Sequence, residues 1–139
     1  MNTLIKILRF FFPDSPLLNR KKGKKSFSQT DFVDIKRKWA EIEQLMTIGK
    51  PSNFKIAIME ADKLLDHVLK IKRFKGETMG ERMKSIRRDD FDRDFFDDMW
   101  QAHKLRNEMA HNMNYEVQHF EAKKAVEQFR RVLKELGAL

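Results

Sequence analysis

Residues 99–115 read MWQAHKLRNEMAHNMNY. Coiled as a helix, this stretch gathers two imidazoles, a guanidinium and a carboxamide over two or three turns. At about 100° per residue, Trp100, His103, Asn107 and His111 fall within one broad face, and Arg106 lies on a neighbouring face with Met99, Ala102 and Met109. Arg106 and His111 are five positions apart, hence about 140° apart around the axis, so they flank Asn107 rather than stack on each other. Side chains of these types can do acid–base work, bind phosphate and donate hydrogen bonds. His103, one turn before Asn107, is a further candidate for the same cleft, as are Lys104 and Tyr115 for contact with substrate. On a plain surface helix, Arg106 would instead pair with Glu108 or Asp98.

The elements that must position these groups follow from periodicity. Phe32, Ile35, Trp39, Ile42 and Met46 alternate spacings of three and four, which predicts a helix over about 29–48. Ser28 with Asp31 opens it, and Gly49 and Pro51 close it. A second helix over about 52–74 carries Ala57, Ala61, Leu64, Val68 and Ile71, with Phe54, Ile58 and Leu65 beside them. A face so broad predicts the central helix of the core, with Gly76 as its stop. Thr78 and Glu81 have capping-box spacing and open a short helix to about Ile86. Asp92 or Asp94 caps a third long helix over about 93–112, and the acidic residues there suit the positive end of its dipole. The last helix spans about 118–136, with Phe120, Phe129, Val132 and Leu136 near one face. No alternating strand pattern, repeat or Gly-rich phosphate loop appears in the sequence. The expected fold class is all-α, a four-to-five-helix antiparallel bundle with a separate N-terminal amphipathic helix.

Composition bounds the rest. The chain has 139 residues, 36% of them charged, and no Cys. Thiolate nucleophiles, redox pairs, Cys-ligated zinc and a disulfide scaffold are all excluded. No His stands at ligand spacing to the acidic run Asp89–Asp98, so neither a metal nor another cofactor is expected. The net charge of +8 is uneven. Residues 1–27 hold seven basic residues against Asp14, and the remainder holds 22 basic against 20 acidic residues. Two parts are therefore expected: an apolar and basic arm with its linker over 1–27, and a helical domain over 28–139. Within the arm, Thr3 to Phe12 (TLIKILRFFF) is too short to span a bilayer and lacks a signal-peptide cleavage site. Residues 3–12 with the basic run behind them read either as a peripheral contact to anionic lipid or RNA phosphates, or as an apolar helix docked on the protein's own surface. The location expected is cytoplasmic, at most peripheral to the inner membrane surface.

The segment Arg106-Asn107-Glu108-Met109-Ala110-His111 resembles the R-x(4–6)-H motif of the HEPN superfamily (higher eukaryotes and prokaryotes nucleotide-binding), in which a polar residue, often Asn, follows the Arg. There too the motif lies toward the end of a long helix in an α-helical bundle, with another helix after it. The resemblance implies a metal-independent endoribonuclease that acts as a homodimer, with the motifs of two subunits meeting, in a defence or toxin–antitoxin setting with an antitoxin or nucleotidyltransferase partner. Arg106, Asn107 and His111 are the catalytic residues so implied. The residue types suit that chemistry: attack by the RNA's own 2′-hydroxyl needs a proton-moving group, for which His111 serves, and a cation for the phosphorane charge, for which Arg106 serves. One subset of the superfamily carries H-x-Y after the motif, whereas here Tyr115 stands four residues beyond His111. Many members bind nucleotides or proteins without cutting RNA. A catalytically silent dimerisation or binding module, tethered to a membrane surface by the arm, is the alternative reading. His67 and His119 have no convergent partners, and Trp39 and Trp100 read as core or interface positions.

Overall fold

The structure is a computed structural model that describes residues 26–139. The helix expected over residues 3–12 lies outside the described residues. Five helices follow in order: α1 (Gln29–Ile48), α2 (Pro51–Ile71), α3 (Met79–Lys84), α4 (Arg93–His111) and α5 (His119–Glu135). No strand occurs among the described residues, and none of their helices is long and apolar enough to cross a membrane.

Three of these helices begin at a capping side chain that their sequence supplies. The Ser28 hydroxyl accepts the Asp31 amide at 3.0 Å while the Asp31 carboxylate accepts the Ser28 amide at 2.8 Å. Thr78 and Glu81 repeat that reciprocal box at α3, and Asp92 accepts the Phe95 amide at 3.0 Å to start α4. Such caps are each worth about 1 kcal/mol. Gly49 closes α1 in the left-handed region at φ 76°, which lets Pro51 open α2 almost at once. α2 ends earlier than Gly76: Arg73 takes the left-handed turn at φ 62°, and the Phe74 amide bonds back to the Leu69 carbonyl at 3.1 Å. Gly76 serves the next turn instead. At φ 152° a Cβ there would sit 2.6 Å from the Arg82 amide nitrogen, so only glycine lets the chain pass against the start of α3.

The direction of the helices can be read from their cross-links. Asp98 and Gln101 of α4 bond to Arg131 and Gln128 of α5, so those two run antiparallel. Phe54 stacks on His119 while the Lys72 ammonium reaches the Leu136 carbonyl, so α2 and α5 run parallel. The ends of α1 and α4 and the starts of α2 and α5 therefore share one end of the bundle. α2 touches all four other helices, as its broad apolar face predicts, and Ala57, Ile58, Ala61, Leu65, Val68 and Leu69 are fully buried. Phe27 belongs to the folded part as well, packing on Phe32 with ring centroids 5.3 Å apart and lying under the Lys72 ammonium. Phe120 departs from expectation: it is 72% exposed. The inward stripe of α5 starts at Ala122 and includes Phe129, and nine residues of helix put Phe120 about 180° from Phe129.

Candidate functional site

The chemistry-bearing face of α4 meets α2 at a residue absent from the sequence-based candidates. Asp62 continues the apolar stripe Ile58–Leu65–Leu69 of α2, and its side chain is only 5% exposed. Its Oδ1 lies 2.8 Å from His103 Nδ1, and its Oδ2 lies 3.5 Å from Arg106 Nε. Arg106 Nη1 donates to Asn107 Oδ1 at 3.1 Å, and Asn107 Nδ2 is 3.3 Å from His103 Nε2. The four side chains form a closed circuit.

The donors and acceptors in the circuit fix one another. A guanidinium only donates, so the Asn107 oxygen must face Arg106 and its amide nitrogen must face His103. His103 Nε2 is then the acceptor, which leaves the proton on Nδ1, where the Asp62 carboxylate receives it. Both ring nitrogens of His103 are thereby used inside the protein. Trp100 braces the same ring edge-on at a centroid distance of 6.3 Å.

Arg106 is held less completely. Its Nε is buried yet makes no hydrogen bond, because Asp62 stands at 3.5 Å, close enough for charge attraction but not aligned as an acceptor. The side chain remains 37% exposed, so the outer edge of the guanidinium faces solvent. The partner of Arg106 is thus Asp62, rather than Glu108 or Asp98. Asp98 is engaged by Arg131.

His111 occupies the last turn of α4, exposed, and makes no hydrogen bond or ion pair among the described residues. It lies about 7.5 Å along the helix axis from Arg106 and 140° around it, so one helix does not aim both groups at a single point. Lys104 is also exposed. Seven positions before His111, it lies on nearly the same side of α4, with Glu108 between them. Tyr115 sits outside the circuit: half-buried in the α4–α5 connection, it donates its hydroxyl to Glu121 Oε2 at 2.8 Å. That hydrogen bond, with burial and the charges of Glu121 and Glu108 adding to it, pushes the phenol above its ordinary value. Tyr115 therefore ties down the connection as a neutral donor. Among the described residues no three His, Asp or Glu side chains come together as a metal site; Asp92 caps α4 and Asp98 holds α5.

Asp62 left a trace in the sequence. It is the one carboxylate on a stripe otherwise made of Phe54, Ile58, Leu65 and Leu69, and an acidic residue at a core register position requires a partner from another element. Compared with protein-family models, curated proteins and solved structures, the chain matches none of them.

Proposed function

We propose that this protein is a HEPN-like ribonuclease that cleaves RNA by attack of the 2′-hydroxyl on the adjacent phosphate, with Arg106 and His111 as its working groups. The observation that carries the reading is a division of labour on α4. Arg106 is steadied from behind by Asp62 and Asn107 with its outer edge open, while His111 is exposed, has no partner among the described residues and can move a proton. His103, with both nitrogens committed, orients Asn107 and so the guanidinium.

Because Arg106 and His111 diverge on their own helix, a homodimer that juxtaposes two motifs is part of the proposal. An antitoxin or nucleotidyltransferase partner would act by covering that end of the bundle. A second reading, a silent interaction module, draws on the same Asp62–Arg106 ion pair taken as a purely structural brace.

The deciding experiment measures RNA cleavage by the full chain and its His111→Ala and Arg106→Ala variants. Each substitution is expected to lower the rate by about 10²-fold or more while circular dichroism stays unchanged. Products are expected to end in 2′,3′-cyclic phosphate, and cleavage is expected to persist in EDTA. Wild-type rates in both variants, or no cleavage by the full chain, favour the silent module.

A further inference from the structure

We propose that the groove between α1 and α5 binds a segment of single-stranded RNA, with a base lying on the Phe120 ring and backbone phosphates against Lys123 and Lys124. The inference rests on the reading of the protein as one that handles RNA, but it does not require that the RNA be cut.

Lone exposed apolar residues are ordinary on a protein surface, so exposure alone decides nothing. What distinguishes Phe120 is its surroundings. The residue is 72% exposed in the first turn of α5, and the helical repeat places Lys123 and Lys124 one turn beyond it on the same side. This face borders a groove of about 750 Å³ whose α1 wall includes Trp39 and Met46.

The charges in the groove are not equivalent. Glu43 accepts the Trp39 indole N–H at 2.9 Å and keeps its charge, which acts on Arg130, and Glu127 accepts Arg130 Nε at 2.8 Å. Arg131 is clasped by Asp98. Lys123 and Lys124 have no ion pair among the described residues. The groove thus offers two lysines without an ion pair among the described residues beside an open aromatic face. Phosphate together with a stackable planar ring answers both features, and single-stranded nucleic acid carries them at regular spacing. An apolar protein surface would cover Phe120 but leave both ammonium groups facing it without counter-charge.

The groove also lies where a strand bound at the candidate site would go. Phe120 is at the end of the bundle that holds His111, separated from it by the connection that Tyr115 ties to Glu121. RNA engaged at His111 can continue over that end onto α5.

The test uses the full chain carrying His111→Ala, so that RNA is not consumed, and a fluorescently labelled oligouridine of about a dozen nucleotides, within the span of one or two such binding sites. Anisotropy is read across a salt series. Phe120→Ala is expected to weaken binding by about 5- to 100-fold, the range set by loss of one stacked base, while Phe120→Tyr keeps the affinity. Lys123→Ala with Lys124→Ala is expected to flatten the slope of log affinity against log salt by about 0.7 per lost contact. Unchanged affinity and slope in both variants would overturn the proposal. So would a Phe120→Ala chain that binds RNA normally but shows a lower mass by light scattering, since that places a protein interface on the groove. If the variants lose RNA binding although the wild-type chain never cleaves, the groove stands and the ribonuclease reading falls. If cleavage is found and binding ignores the groove, the reverse holds.

Discussion

Asp62 and Asp66 stand one turn apart on α2, and each holds an arginine from another helix, yet the two pairs differ in kind. Arg82 of α3 meets Asp66 through two aligned bonds, Nε to Oδ1 at 2.7 Å and Nη2 to Oδ2 at 3.1 Å, and gives Nη1 to the Gly76 carbonyl at 2.7 Å. Its side chain is 9% exposed. Arg106 of α4 meets Asp62 only at 3.5 Å, without an aligned bond, and is 37% exposed. The same pair of residue types is a closed brace in one place and a half-open one in the other. A guanidinium whose donors are used up can hold helices together but has little to offer a ligand. One that keeps an unspent edge toward solvent can meet a phosphate, and the buried carboxylate behind it keeps it from swinging away.

The sharpest way to break this comparison is to cut the closed brace. Removing Arg82 leaves Asp66 without its main partner and frees the Gly76 carbonyl, so Arg82→Ala is expected to cost about 3 kcal/mol in urea unfolding, near the low end for breaking a buried pair. The pH dependence of that loss has a definite sign. Burial pushes the Asp66 carboxyl up, but the hydrogen bonds and charge of Arg82, with Lys70 beside it, outweigh burial and hold it below its ordinary value. A depressed carboxyl contributes stability above its unfolded value and loses it as pH falls through the lower folded value. The gap between wild type and Arg82→Ala is therefore expected to be constant from neutrality to about pH 5, and to narrow below about pH 4. A gap that is independent of pH into the acid range would mean that Arg82 contributes through packing alone.

Cutting the half-open pair is expected to do less to the fold and more to the site. Asp62→Ala removes the acceptor of His103 Nδ1 and the charge behind Arg106, at a cost of about 1–3 kcal/mol, the range for stranding a buried donor. On the proposed function, cleavage by Asp62→Ala falls by about tenfold, a step smaller than loss of His111 or Arg106 themselves, because the guanidinium is present but no longer held in line. Asp62→Asn sharpens the contrast, since a carboxamide oxygen still accepts from His103 but gives Arg106 no counter-charge. It should recover much of the stability and little of the rate. Equal recovery of both would make Asp62 a brace of the same kind as Asp66.

The two pairs also mark the limit of what the sequence conveys. Helix positions, the caps at Ser28, Thr78 and Asp92, and the central place of α2 are all legible, because they depend on residues three or four apart. The gathering of His103 and Asn107 on one side of α4 is legible for the same reason. Periodicity cannot say which element that side faces, so Asp62, 41 positions before His103, entered only with the tertiary structure. The helix expected to about residue 74 ends at Ile71, because Arg73 adopts a left-handed turn that glycine would ordinarily occupy. Grouping Phe120 with Phe129, Val132 and Leu136 on one face of the last helix rests on loose spacing, and the structure leaves it exposed. Its angular offset from Phe129 was in the sequence all along and, taken strictly, places it outside.

A third carboxylate–guanidinium pair separates geometry from burial. Arg131 and Asp98 join α5 to α4 through two bonds of 2.9 and 3.0 Å, an alignment as good as that of Arg82 with Asp66. Those hydrogen bonds hold the Arg131 guanidinium above its ordinary value. The arginine is nevertheless 49% exposed, so water replaces most of what the pair supplies when it is broken. A double-mutant cycle of Arg131→Ala and Asp98→Ala in urea unfolding is expected to give a coupling of about 0.5–1 kcal/mol, the smallest of the three pairs, and one that shrinks on raising salt. If fork geometry governed these contacts, Arg131 would rank beside Arg82. If burial governs, it ranks below Arg106, whose poorer alignment is offset by a carboxylate shielded from water. A coupling above about 2 kcal/mol that is insensitive to salt would reverse that order, and Arg106 would then be loose by virtue of its geometry and not of its access to solvent.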